Sequence, residues 1–283
     1  WDRPVDARRR WTYNIASREA PSTATIQPPL LAWAWRIAVG DPADEPRIAQ
    51  HHRWLTEHRD LDGDGLLWIV QPDESGLDSS PKFDAVWGRR AHAHLGFVAL
   101  IAANRRLEWD ARRILARGGP VMCEVVVNVL WSLARSAAGG PSLTGALIER
   151  CWDESRGLFL DVARGELAIE RETDPCDGDR RVRTSTWSAL APLALPDLPE
   201  QIGRRLVEEH LLDPTRYWTP VPIPSVSQQE PSFEPRDWQN WLVRRYWRGP
   251  CWLNSAWLVW LGLRRLGYDA EADRMASALC GAY

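Results

Sequence analysis

The sequence lacks the features that mark membrane proteins and nucleic-acid-binding proteins. Its longest apolar runs, residues 30–35 and 257–263, are far too short to span a bilayer. The formal net charge is only −3, and no polybasic stretch is available to contact nucleic acid or anionic lipid. The composition therefore predicts neither a nucleic-acid partner nor a membrane partner.

Cysteine is scarce and irregularly placed. The five cysteines are odd in number and show no CxxC spacing; they are Cys123, Cys151, Cys176, Cys251 and Cys280. Such thiols are typical of a reduced protein and do not form the clusters that hold structural metals. We therefore expect a cytoplasmic protein with no metal ion and no cofactor. The chain begins at Trp1 and shows no signal peptide, so we also expect a processed N-terminus.

The composition is biased in two further ways. Lys82 is the only lysine among 35 basic residues, which indicates a biased genome. The chain has 18 Trp but only 5 Tyr and 4 Phe. Trp rings pack in protein cores, and they also stack on the apolar face of a sugar ring. We expect most of these Trp residues in a helical core, and the remainder favour a carbohydrate ligand.

Apolar residues recur with helical spacing along most of the chain. Helices are predicted over 28–39, 43–58, 84–107 (as one helix or two), 122–137, 141–151, 184–193, 198–210, 250–266 and 270–279. The best strand signal is at 158–169, where Ala-Arg-Gly separates two short apolar runs and predicts a small hairpin. The pattern predicts an all-α fold with minor β loops.

The stretch QPDESGLDSSPKFD, residues 71–84, carries four carboxylates between two apolar segments. Glu74 and Asp78 flank a glycine, which lets the backbone approach a ligand closely. An Asp held there against Trp rings would lose water, keep its proton and act as a general acid. The alternatives are a solvated loop, a cation site, or a turn in which Ser79 or Ser80 caps the next helix.

The turn DLDGDG at 60–65 has alternating carboxylates that could bind calcium. The bidentate Glu of a complete calcium loop is missing at its expected spacing. Asp and Gly also favour turns without any ion, so both interpretations stay open.

The third notable stretch is RRYWRGPCWLNSAWLVWLGLRRLGY, residues 244–268. Its second half has the apolar spacing of a core helix. The loop residues Tyr246, Trp247 and Arg248 favour a rim that contacts sugar. The Pro-rich segment 217–235 just before it is long enough to be a functional loop.

ESGLDSSP and YWRGPCWLNSAWLVW, in this order, resemble glycoside hydrolase family 63. The similarity is to the branch of mannosylglycerate and glucosylglycerate hydrolases, with trehalases as more distant relatives. It implies an (α/α)6 barrel, formed by residues 1–283 as a single domain and incomplete at both ends. It also implies that a small glycoside or oligosaccharide is the substrate, and that its α-glycosidic bond is hydrolysed with inversion.

The resemblance also implies roles for individual residues. Asp78 would be the general acid, and Glu74, Tyr246, Trp247 and Arg248 would shape the sugar pocket. An inverting enzyme needs a second carboxylate roughly 6.5–9.5 Å from the acid, and the resemblance places this base beyond Tyr283. The family's usual His-Pro-Trp before ESG is replaced by residues 71–73, Gln-Pro-Asp, which leaves the sugar and aglycone open.

Two other functions remain open at this point. A non-catalytic carbohydrate-binding barrel would keep the pocket and lack the base, and a helical toroid could bind an unrelated ligand. Sugar binding without turnover, unchanged by Asp78→Asn, would favour the first of these. The sequence does not indicate an oligomeric state.

Overall fold

The protein is helix-rich in the computed structural model, which describes residues 25–236 and 246–282. The α-helices in these ranges are α1 (Leu31–Ala38), α2 (Pro46–Arg59), α3 (Asp84–Trp87), α4 (His94–Arg106), α5 (Ala111–Ala116), α6 (Val125–Ala137), α7 (Thr144–Cys151), α8 (Glu200–Arg205), α9 (Leu253–Arg265) and α10 (Asp269–Ala282). Within the same ranges, no helix is long and apolar enough to cross a bilayer.

Local sequence explains where several helices begin. α2 follows Glu45, whose side chain accepts a hydrogen bond from the Arg47 amide, and a proline occupies its first position. α5 follows Asp110, which accepts from the Arg113 amide at 2.8 Å. The predicted segment 84–107 is divided into α3, the 3-10 turn Gly88–Arg90 and α4. The predicted helix at 184–193 is a 3-10 helix, Trp187–Ala194.

The prediction of an all-α fold is wrong in one respect, because the structure contains a sheet. The strands are β1 (Trp68–Ile69), β2 (Val121–Cys123), β3 (Trp152–Asp153), β4 (Leu158–Phe159), β5 (Val162–Arg164), β6 (Thr173–Cys176) and β7 (Asp179–Val182). Five of them form one antiparallel sheet in the order β1-β2-β5-β7-β6, and β3 pairs with β4.

The predicted hairpin at 158–169 does not form. Its first half, β4, pairs with β3, the strand that precedes it in the chain. Its second half, β5, lies between β2 and β7 in the sheet. Strands of two to four residues carry too little alternation to reveal their partners, and the β2 partner of β5 is distant in the sequence.

The core lies where α6 and α9 pack against the 3-10 helix 187–194. α9 approaches this helix so closely that a Cβ atom on Gly262 would lie 2.5 Å from the Leu193 Cβ. Glycine at this position therefore permits the packing. The edge strand β1 leads directly into residues 71–80, so the sheet anchors the acidic stretch.

Candidate active site

The acidic stretch folds into a tight turn before Asp78. Residues Pro72–Ser75 form a 3-10 helix, which ends at Gly76 with φ +72° and a hydrogen bond from the Gly76 amide to the Asp73 carbonyl. Glycine favours this left-handed conformation. The Ser75 hydroxyl donates to the Pro72 carbonyl at 2.6 Å and accepts from the Leu77 amide at 3.0 Å. These bonds fix the backbone that carries Asp78.

The Glu74 side chain is fully buried and stabilises the turn through hydrogen bonds. Its two carboxylate oxygens accept hydrogen bonds from the Arg59 guanidinium. They also accept from the amides of Ile26 and Val70, at 2.9 and 2.7 Å. A carboxylate that is buried and fully bonded has no surface left for a sugar. The structure therefore corrects the prediction that Glu74 lines the pocket and assigns it to the support of the loop.

Asp78 contacts the second motif directly. The Tyr246 hydroxyl donates to Asp78 Oδ2 at 3.0 Å, although the two residues are 168 positions apart. Both side chains are half-buried. This bond brings ESGLD and YWRGP to one place, as the sugar-site interpretation requires.

Ser79, the residue after Asp78, has a strained backbone. Its φ is +66°, a conformation that costs a non-glycine residue of order 1–3 kcal/mol. Its buried hydroxyl has no hydrogen-bond partner, and Ser80 makes no capping bond to the turn at Pro81–Phe83. The alternative that these serines serve as helix caps is therefore wrong. Strain and an unsatisfied hydroxyl beside a carboxyl group are typical of functional loops.

An ion pair also joins the two motifs, and the sequence does not indicate it. Arg248 Nη2 donates to both oxygens of Asp84, at 2.7 and 2.8 Å. His92 Nδ1 lies 2.9 Å from Asp84 Oδ1. Nothing in the local sequence of Asp84 indicates a partner 164 residues away.

Three Trp rings form a wall behind Tyr246. Trp247 stacks between Trp187 and Trp252, with ring centroids 6.3 and 4.8 Å apart, and the Trp252 Nε1 donates to the Tyr246 carbonyl at 3.0 Å. Trp247 is only 5% exposed and Arg248 is also buried. Of the predicted sugar-contacting rim, only Tyr246 keeps a half-exposed surface, and the other two residues support it.

Asp73 adds a titratable group that the sequence analysis gave no role. Its Oδ1 atom is buried and has no hydrogen-bond partner. Burial raises the pKa of Asp73 to about 7, and the charges of Glu74 and Asp78 add to the rise. Asp73 therefore changes its charge near neutral pH, close to the candidate acid.

The carboxylates of the DLDGDG turn bind groups of the protein itself. Asp60 accepts from the amides of Gly63 and Gly65, and Asp64 pairs with Arg150 at 2.7 Å. In the part of the chain that the structure describes, no group of three His, Cys, Asp or Glu residues is arranged to hold a metal ion. The observed geometry is that of an Asp-Gly turn held by arginine.

Comparison with known proteins is consistent with this geometry. A family model described as the mannosylglycerate hydrolase MGH1-like glycoside hydrolase domain matches residues 6–282. Mannosylglycerate hydrolase from Thermus thermophilus is 27% identical over 314 residues, which cover 92% of this chain and 69% of the relative. Mannosylglycerate hydrolase from Rubrobacter radiotolerans is 26% identical, with 93% of this chain and 68% of the relative covered.

A solved structure gives the same result for the fold. The GH63 mannosylglycerate hydrolase from a second strain of Thermus thermophilus, in complex with glucose, superposes with a TM-score of 0.67 at 25% identity. The alignment covers 93% of this chain and 68% of that protein. The chain belongs to the mannosylglycerate hydrolase MGH1-like family of glycoside hydrolase domains.

Proposed function

We propose that this chain forms the acid-bearing part of an enzyme that hydrolyses the α-glycosidic bond of a small glycoside or oligosaccharide, with inversion at the anomeric carbon. Family membership supports hydrolysis of a glycosidic bond. The resemblance of the two motifs supports the α-linkage and the inverting course. The observation that carries the proposal is the 3.0 Å hydrogen bond between Tyr246 and Asp78, which joins those motifs.

In the proposed reaction, Asp78 gives its proton to the leaving oxygen as the bond from that oxygen to the anomeric carbon breaks. A water molecule attacks the anomeric carbon from the opposite face and loses its proton to a second carboxylate, roughly 6.5–9.5 Å from the acid, which the resemblance places beyond Tyr283. Tyr246 orients the Asp78 carboxyl through its hydroxyl. The Asp84–Arg248 ion pair holds the second motif at a fixed distance from the first.

We also propose that the helices form an (α/α)6 barrel whose central cavity binds the sugar. The helix-rich fold and the TM-score of 0.67 support this architecture, and the five-stranded sheet is an addition to it. A cytoplasmic location is proposed because the five cysteines are odd in number and show no CxxC spacing.

Glycosyl glycerates are the first substrates to test, because the relatives are named for mannosylglycerate. The test supplies mannosylglycerate, glucosylglycerate, trehalose and short α-glucans to the complete protein, with the base beyond Tyr283, and follows the anomeric protons by NMR. An initial release of the β-anomer from an α-glycoside supports inversion. Release of the α-anomer contradicts the proposed course.

Binding without turnover supports the non-catalytic alternative. Calorimetry with the same glycosides measures this directly, and Asp78→Asn serves as the matched variant. Glycosides that bind equally well to both proteins and are cleaved by neither would favour the non-catalytic carbohydrate-binding alternative.

A further inference from the structure

The only lysine of the chain is also one of its most deeply buried side chains. Lys82 is 0% exposed, whereas the chain uses arginine at every other basic position. Burying an amine is costly unless all of its donors are bonded. The chain is biased against lysine and still has one at this buried site. This indicates that the site requires an ammonium group.

The partners of Lys82 match an ammonium group. Its Nζ donates to Ser188 Oγ at 2.8 Å and to Glu124 Oε1, and it lies 3.3 Å from Asp161 Oδ2. An ammonium has three donors in a compact tetrahedral arrangement, and three acceptors are present. A planar guanidinium has five donors in a wide fork and would leave some of them buried and unpaired.

The two acidic partners also begin a helix. Glu124 Oε2 accepts from the Val127 amide at 2.5 Å, and Asp161 Oδ1 accepts from the Val125 amide at 2.8 Å. These are the first-turn amides of α6. Lys82 therefore attaches the acidic stretch to the start of α6 and to the residue that precedes β5.

Ser188, the third partner of Lys82, is next in sequence to a residue of the aromatic wall formed by Trp187, Trp247 and Trp252. Ser188 follows Trp187, whose ring is stacked on Trp247 of the second motif. Lys82 itself lies between Asp78 and Asp84 in the sequence, and these two residues bind Tyr246 and Arg248. One ammonium thus connects the acid-bearing loop with the wall that supports Tyr246.

Removing this ammonium would leave two buried carboxylates facing each other. Burial raises the pKa of Glu124, the Lys82 charge opposes that rise, and the Asp161 charge adds to it. Without the lysine, the carboxylates must take up a proton or admit water. Either change would move the loop that carries Asp78.

We propose that Lys82 is a positioning residue of the active site, which fixes the Asp78 loop against α6 and Trp187 and which arginine cannot replace. The catalytic part of this proposal rests on the proposed function of Asp78. A misplacement of about 1 Å in a reacting group costs about a hundredfold in rate. A role limited to stability would instead leave the kinetics of folded molecules unchanged.

Kinetics of Lys82→Met and Lys82→Arg test the proposal, at a temperature where circular dichroism shows both variants folded. We expect kcat to fall at least about tenfold in both, with a shifted pH–rate profile and a KM within about threefold of wild type. The matched control is Arg164→Met, which breaks an ion pair with Asp62 and Asp179. It should lower the melting temperature and leave kcat and the pH profile unchanged. Wild-type kinetics in Lys82→Arg would overturn the proposal.

A second measurement needs no turnover. Because Lys82 is the only lysine, protein labelled with 13C-lysine gives a single side-chain Cε–Hε signal. We expect Tyr246→Phe to displace this signal and Tyr268→Phe, which alters a tyrosine bonded to Glu208, to leave it in place. A signal unmoved by Tyr246→Phe would contradict the coupling, even if no glycoside is cleaved.

Discussion

The Tyr246 hydroxyl donates a hydrogen bond to Asp78 Oδ2 at 3.0 Å. This contact joins the two motifs on which the glycosidase interpretation depends. It also orients the candidate acid, because the Tyr246 backbone is held by a hydrogen bond from Trp252 Nε1 to the Tyr246 carbonyl.

Replacing Tyr246 by Phe should lower kcat/KM about tenfold or more. Leaving a partly buried hydrogen-bond partner unsatisfied costs ~1–3 kcal/mol, and 1.36 kcal/mol is a factor of ten in rate. Steady-state kinetics on the best glycoside measure the loss. Tyr268→Phe removes a comparable hydroxyl–carboxylate bond on the surface and should leave kcat/KM unchanged. Equal kinetics for both variants and wild type would show that the Asp78–Tyr246 bond has no role in catalysis.

Asp73 should make stability depend on pH. Its pKa is raised from 3.8 to about 7 in the folded protein, so the folded state binds more protons than the unfolded state between these values. Stability from this group is therefore lost as pH rises from about 4 to about 7, by at most ~4 kcal/mol. Asp73→Asn should remove this loss and raise the free energy of unfolding more at pH 8 than at pH 4.

Urea denaturation at several pH values measures the effect of Asp73→Asn. Asp177→Asn, at an exposed turn, is the control and should change the free energy of unfolding little. A pH-independent difference between Asp73→Asn and wild type would contradict the raised pKa.

Arg59→Met should destabilise the protein strongly. Arg59 is 1% exposed and binds Glu74, which is wholly buried. Removing one partner of a buried pair leaves an uncompensated charge, at a cost of about 3–5 kcal/mol. The double replacement Arg59→Met with Glu74→Gln should recover part of this loss, as measured by urea denaturation.

An exposed pair provides the control for Arg59. Arg204 and Glu200 pair across one helical turn with both side chains largely in solvent, and Arg204→Met should leave the free energy of unfolding nearly unchanged. Similar losses in Arg59→Met and Arg204→Met would mean that the Arg59–Glu74 pair does not hold the loop.

The helices were largely predictable, and the sheet was not. α1, α2, α6, α9 and α10 have apolar spacing within their own sequences, so their existence follows from local pattern. β2 pairs with β1 and β5, which are distant in the chain, and its three residues show no alternation. The prediction therefore extended a helix over residues 122–124 and missed the strand.

The candidate site also has features that the local sequence predicts and features that it does not. Asp78 and Tyr246 were found through their motifs, and whether they carry out catalysis stays a prediction. Contacts between distant segments determine the rest of the site. They bury Glu74 and Trp247, pair Asp84 with Arg248, and surround the Lys82 ammonium with its three acceptors. Charge and spacing within one segment cannot reveal such partners.

Asp78→Asn assayed on two kinds of substrate tests the central claim most directly. An O-glycoside needs a proton on its leaving oxygen. An α-glycosyl fluoride of the same sugar releases fluoride ion, which needs much less protonation by an acid. If Asp78 is the general acid, the variant should lose ~10²–10⁴-fold in kcat on the O-glycoside and far less on the fluoride. Equal losses on both substrates, or a loss below about tenfold on the O-glycoside, would contradict the assignment of Asp78.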